Sequence, residues 1–133
     1  MLKINNLSKT FNKGTVNEKV AMNDVSLHLE PGDFVTMIGS NGAGKSTLFN
    51  LIAGDFLSDE GEIILDGKYI TFEKEYKRAR NIGRLFQDPL KGTAPSMTIE
   101  ENLLLSYSRS TSKRVSFGMS SKEKALFRER LAE

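Results

Sequence analysis

The sequence predicts an α/β fold in which a glycine-rich loop joins a buried strand to a helix. Three observations point there. Residues 39–47 read GSNGAGKST and satisfy the pattern GxxxxGK[ST] in full. The segment before them, Phe34 to Ile38, is mostly apolar without strict alternation, which marks a strand covered on both faces, as in the parallel part of an α/β sheet. The segment after them places Leu48, Leu51 and Ile52 at i, i+3 and i+4 on one helical face, with Gly54 suited to end the helix near Ala53.

Upstream of this unit, the stretch from Val20 to Leu29 sets Val25, Leu27 and Leu29 against Ser26, His28 and Glu30, the period of a half-buried strand. Pro31-Gly32-Asp33 then turns the chain. Downstream, Glu62 to Leu65 and Lys68 to Ile70 flank Asp66-Gly67, a pair that favours the type I′ hairpin turn. Ile82 to Phe86 reads as another short strand leading into Gln87. From Asp88 to Met97, Pro89, Gly92 and Pro95 predict an exposed loop, a place where contacts often reside. Thr98 with Glu101 and Ser120 with Glu123 form capping boxes, so helices are expected from Asn102 to Tyr107 and from Lys124 to Leu131. Between them, Ser108 to Ser116 reads as a flexible connection rich in Ser, Thr, Lys and Arg. The last helix reaches Glu133 without a stop signal, so the chain is expected to be cut rather than finished.

A chain of 133 residues with 38% apolar content is sized for one core, burying roughly two thirds of the surface its unfolded form exposes. No cysteine is present, which excludes disulfides and thiolate zinc sites and suits a reducing compartment. The polar start MLKINNLSKT is no signal peptide, and no apolar run approaches the roughly 18 residues of a membrane helix. A soluble, cytoplasmic chain is the expectation. A net charge of +2 does not attract nucleic acid by itself. The cluster Lys74, Lys77, Arg78, Arg80 and Arg84 is expected to be a solvated helix face rather than a nucleic-acid contact.

The loop's chemistry follows from its residue types. Gly39, Gly42 and Gly44 carry no Cβ, so consecutive N–H groups can close on phosphate oxygens, and Ser40, Asn41 and Ala43 complete that wall. Lys45 reaches the β- and γ-phosphates, the Ser46 hydroxyl is placed for Mg²⁺, and Thr47 supports the α-phosphate. The helix starting near Lys45 directs its positive end at the same anion. A glycine-rich turn that binds nothing is the bland alternative. The four fixed positions coincide by chance in on the order of one chain in a few hundred, and the strand and helix around them make chance rarer still.

With these motifs the chain resembles the nucleotide-binding subunit of an ATP-binding cassette (ABC) transporter, over essentially its whole length but only the first half of such a subunit. LSKTF at residues 7–11 is similar to the family's adenine-stacking segment, with Phe11 where an aromatic lies against the base; stacking needs a π-face, not a hydroxyl. LFQDP at residues 85–89 is similar to the glutamine loop, in which Gln87 sits near Mg²⁺ and the attacking water. The resemblance implies a P-loop NTPase core with an amino-terminal antiparallel β subdomain, residues 1–133 being a partial nucleotide-binding domain truncated before its helical signature region is complete. It implies ATP and Mg²⁺ as ligands, and Lys45 and Gln87 as catalytic residues with Ser46 and Gln87 at the metal. It also implies a transmembrane permease subunit docked on Asp88 to Thr98, a second nucleotide-binding subunit as dimer partner, and a place on the inner face of the cell membrane. The wording around GTAPSMTIEENL is closer to bacterial importer subunits.

The family's signature motif, its second magnesium aspartate with the catalytic glutamate, and its switch histidine do not occur here. The fragment is therefore expected to bind ATP with little or no hydrolysis, since phosphoryl transfer depends on positioning and charge stabilisation. Asp66 follows an apolar run as a magnesium aspartate would, but the Gly67 behind it favours a hairpin turn. His28 lies upstream of the loop and is expected to be an exposed strand residue. A non-transport ABC ATPase, a small phosphate-loop kinase complete at this length and a pure binding module remain as alternatives. A GTPase lacks its NKxD motif, because Asn12-Lys13 is followed by Gly14-Thr15.

Overall fold

The computed structural model describes residues 1–110 and 120–132. It divides into two units, residues 1–78 and 79–133. The connection expected from Ser108 to Ser116 and the chain end at Glu133 lie largely or wholly outside the described residues.

The first unit is built on a four-stranded antiparallel sheet of order β2-β1-β3-β4, with β1 at Leu2–Phe11, β2 at Lys19–Leu29, β3 at Glu60–Leu65 and β4 at Lys68–Tyr69. Alternation in β2 works as its sequence requires: Val25, Leu27 and Leu29 are half-buried, while Ser26 and His28 face solvent. Opposite them, Ile4 and Leu7 of β1 are buried, and Ile4 pairs directly with the buried Ile63 of β3. Asp66 and Gly67 have φ of 48° and 78°, both left-handed, as a type I′ turn demands. The amino terminus closes this hairpin, its ammonium lying 2.7 Å from Asp66 Oδ1. Asp66 is thus a turn residue, and His28, exposed and 2.7 Å from Glu30, is a strand residue.

The helix α1, Lys45–Ala53, presents Leu48 and Leu51 to the core with Ile4, Leu7, Ile63 and Ile70, each such burial stabilising by roughly 1.5–3 kcal/mol. Gly54 ends the helix in the left-handed region, its N–H donating to Asn50 O at 2.9 Å. Near this end sits a short helix, α2, at Glu75–Arg78.

The solvated basic face expected around Lys74 to Arg84 does not hold for Arg78, which is only 1% exposed. Its guanidinium donates to Leu51 O at 2.6 Å, Ile52 O at 3.0 Å, Thr71 O at 2.7 Å and, through Nε, Glu73 O at 2.9 Å. Burial lowers its pKa from the ordinary value, with Glu73 opposing that shift. The carbonyls it receives include two at the carboxyl end of α1, which have no partner inside the helix.

Two expected strands are absent. The segments 34–38 and 82–86 belong to no ladder among the described residues; Phe34 is 94% exposed, Ile38 92% and Leu85 99%. The apolar pattern of 34–38 calls for cover on both faces and for neighbouring strands, and no ladder among the described residues includes it; at 82–86 the Arg84 guanidinium lies 4.6 Å from the centre of the Phe86 ring.

The second unit, taken by itself, contains a 3-10 turn at Pro89–Gly92 and two helices, α3 at Ile99–Ser110 and α4 at Ser121–Ala132. Both capping boxes form: Glu101 Oε2 accepts from Thr98 N–H at 2.7 Å, and Glu123 Oε2 from Ser120 N–H at 2.9 Å. Tyr107 and Phe127 meet edge to face at 5.6 Å.

Arg78→Met keeps the volume of the side chain but strands the four carbonyls. We expect it to lower stability by about 3 kcal/mol, measured as a fall in the urea midpoint at constant m-value.

Candidate functional site

The loop at residues 39–47 is shaped by two left-handed glycines. Gly42 and Gly44 both have φ of 86°, and Gly44 is the N-cap of α1 with no side chain bonded over the helix end. A Cβ on Gly44 would lie 2.8 Å from Ala21 O, so conformation and space together require glycine there. Ala43 N–H donates to Ser40 O at 3.2 Å and Leu48 N–H to Gly44 O at 2.9 Å, which closes the loop onto the first turn. The first N–H groups of an α-helix have no partner inside it, so this end is an anion-seeking surface.

Lys45 folds over the loop, Nζ donating to Gly39 O at 2.6 Å and Ser40 O at 2.7 Å. These bonds hold the ammonium beside the N–H groups. Asn41, Gly42, Ala43, Gly44, Lys45, Ser46 and Thr47 line a cavity of about 230 Å³, whose remaining walls are Phe11, Lys19 and Ala21. Gly39 and Ser40 stand behind that wall as the acceptors of Lys45.

Phe11 closes β1 and is half-buried rather than a core residue. Its ring meets Phe56 edge to face at 5.3 Å, and Lys9 Nζ lies 5.7 Å from its centroid. Lys9 is held by Asp59 Oδ1 at 2.8 Å, while Asp59 Oδ2 accepts from Thr10 N–H at 2.7 Å. Ring and loop are thus brought to one cavity by β1 and β2. Lys19 and Ala21 were not expected there. The cue lies in the pairing of Phe11 with Lys19, which no pattern in β2 alone reveals.

Gln87 belongs to the second unit, where it is exposed ahead of the Pro89–Gly92 turn. Asp88 Oδ1 caps that turn by accepting from Leu90 N–H at 3.0 Å. Asn102 ties the following loop to α3, accepting from Ala94 N–H at 2.8 Å and donating to Ala94 O and Thr98 O. Among the described residues no group of three or more His, Cys, Asp or Glu side chains is placed to hold a metal, and no helix is long and apolar enough to cross a membrane.

The family model for ABC transporters matches residues 22–132, a span that contains both the loop and Gln87. The chain belongs to the ABC transporter family. It is 47% identical over 109 residues to the tyrosine transport ATP-binding protein of Clostridioides difficile, covering 82% of this chain and 43% of that one. It is 45% identical over 100 residues to an aliphatic sulfonates import ATP-binding protein of Bacillus cereus, covering 75% and 37%. Among solved structures, a dimeric ATP-binding cassette in a post-hydrolysis state bound to ADP and Pi matches with a TM-score of 0.75 at 29% identity, over 99% of this chain and 57% of that one. The ABC cassette fold is therefore shown, with the amino-terminal antiparallel sheet in place. The chain spans less than half the length of these curated relatives.

Within this ABC cassette, Asp59 links the sheet to the Phe11 wall and responds to pH. The Lys9 hydrogen bond, and then the Thr10 N–H, hold its carboxyl below the ordinary value of 3.8. A folded-state pKa depressed in this way stabilises the fold above the unfolded value, and the contribution is lost as pH falls through the lower folded value. Thermal melts between about pH 5 and pH 2 should show a decline that Asp59→Asn makes shallower.

Proposed function

We propose that the chain binds ATP at the cavity lined by residues 41–47 and Phe11, and that the full-length subunit hydrolyses ATP to drive a solute across a membrane, as a bacterial importer. One observation carries this reading: an uncapped helix start, the Lys45 ammonium and a half-buried aromatic ring converge on a single cavity. The base stacks on Phe11. Lys45 exchanges the carbonyls of Gly39 and Ser40 for β- and γ-phosphate oxygens, and the N–H groups of the loop take the remaining charge. The tyrosine transport and sulfonate import relatives support the importer assignment.

The donor set fits Mg²⁺. Ser46 brings a hydroxyl to the cavity and no lining residue is a carboxylate, which suits a cation that keeps several waters and completes its shell with substrate phosphates. When bound, Mg²⁺ supplies neutralisation of charge on the β- and γ-phosphate oxygens. Gln87 is assigned to the same metal and to orienting the attacking water in the full subunit. The segment Asp88 to Thr98 is assigned as the surface for the transmembrane permease; Leu90 and Met97 on it are 63% and 44% exposed.

A cavity of about 230 Å³ falls short of the roughly 300–1,000 Å³ that enclose a small ligand. A nucleotide seated there keeps one side uncovered, which supports a second copy of the subunit as its other wall. In that arrangement ATP favours the closed dimer because only the closed state contacts it from both sides, and hydrolysis releases it. The subunit then works on the cytoplasmic face of the membrane.

Lys45→Ala is expected to abolish ATP binding in equilibrium titration while leaving the melting temperature nearly unchanged, since Lys45 is half-exposed and bonds only the loop. Retained ATP affinity would remove the assignment. Phe11→Ala is expected to weaken ATP by about 1–3 kcal/mol if the base stacks there. An unaltered affinity would make Phe11 only a packing partner of Phe56.

A further inference from the structure

We propose that Lys19 is a further nucleotide contact, its ammonium donating to the phosphate next to the ribose; the proposal rests on the cavity at residues 41–47 being the nucleotide site. Lys19 is the cross-strand partner of Phe11 and lines the cavity with it. Opposite residues of an antiparallel pair share a face with Cβ atoms about 5 Å apart, so the lysine stem rises beside the ring on which a base would lie. Two residues further along β2, Ala21 O is the atom closest to the Cβ position of Gly44, where the phosphate loop meets α1. Along β2 the order is therefore Lys19 beside the ring and Ala21 beside the loop. A nucleotide laid from ring to loop runs base, ribose, α-phosphate, then β and γ, so its ribose and α-phosphate cross the stretch of cavity between Phe11 and Gly44, which the long Lys19 side chain lines from the ring end.

Charge supports the same placement. Lys9 is neutralised by Asp59 and Lys45 is held by two loop carbonyls, whereas the Lys19 ammonium has no hydrogen bond or ion pair among the described residues. No carboxylate lines the cavity to compete for it. An exposed ammonium at the edge of an anion-seeking cavity loses little hydration in the free protein and gains a charge-assisted bond when a phosphate arrives.

The test is an equilibrium titration of the chain and its Lys19→Met, Lys19→Arg and Lys45→Ala variants with ATP, ADP, AMP and adenosine. Lys19→Met is expected to weaken ATP, ADP and AMP by about tenfold each and to leave adenosine unchanged, with Lys19→Arg restoring most of the loss. Lys45→Ala is expected to separate ATP and ADP, which it loses, from AMP, which it largely keeps. Unchanged ATP affinity in Lys19→Met alongside its loss in Lys45→Ala overturns the role of Lys19 and leaves the site standing. An equal loss for adenosine overturns it as well, because the lysine then serves the base or the strand. Unchanged ATP affinity in both variants overturns the site and this proposal together.

Discussion

The close approach of Ala21 to Gly44 is the constraint on which the site depends. Ala21 is the extra residue of a bulge in β2: Lys9 pairs with Met22 and Thr10 with Val20, leaving Ala21 without an opposite number. Such a bulge re-aims the backbone locally. Here it accompanies a carbonyl set so near the start of α1 that a Cβ on Gly44 would come within 2.8 Å of it. The same strand carries Met22 into the core and Lys19 to the cavity edge. One backbone contact therefore fixes where the helix begins and how far the Phe11 wall stands from it.

The far end of α1 is fixed by a different kind of force. Arg78 gathers carbonyls from the last turn of the helix and from Thr71 and Glu73, so a single buried cation joins α1 to the segment after the β3–β4 hairpin. A positive charge at a helix carboxyl end also opposes the partial negative charge there. Burial of an arginine is tolerated because its fork of donors is met by carbonyl oxygens that would otherwise be unpaired. Between a steric stop at Gly44 and an electrostatic clasp at Arg78, α1 has little freedom to slide.

Residues whose structure depends on near neighbours were legible in the sequence. The capping boxes at Thr98 and Ser120, the Asp66-Gly67 turn, the limits of α1 and the alternation of β2 all arise from interactions within a few residues, and each formed. The glycine-rich loop was legible for the same reason, since its φ values are demanded by its own backbone. Arg78 was not, because in sequence it is one of five basic residues and its acceptors lie up to 27 positions away. Lys19 escaped likewise, its place being set by pairing across β1 and β2. The strands expected at 34–38 and 82–86 failed on the opposite ground: an apolar run states a need for cover, and whether cover exists is a property of the rest of the fold.

That last failure bears on how the phosphate loop holds its form. In a phosphate-loop protein the strand ahead of the loop is expected to aim it, yet here residues 34–38 take no part in a sheet among the described residues, and the loop still has its two left-handed glycines and its lysine folded back. Among the described residues, α1 behind it and β2 at its side hold that shape. The Ala43 to Ser40 and Leu48 to Gly44 bonds bind the loop to the first turn of α1, and Ala21 sets that turn from the side. Loop and helix thus act as one piece seated on the antiparallel sheet.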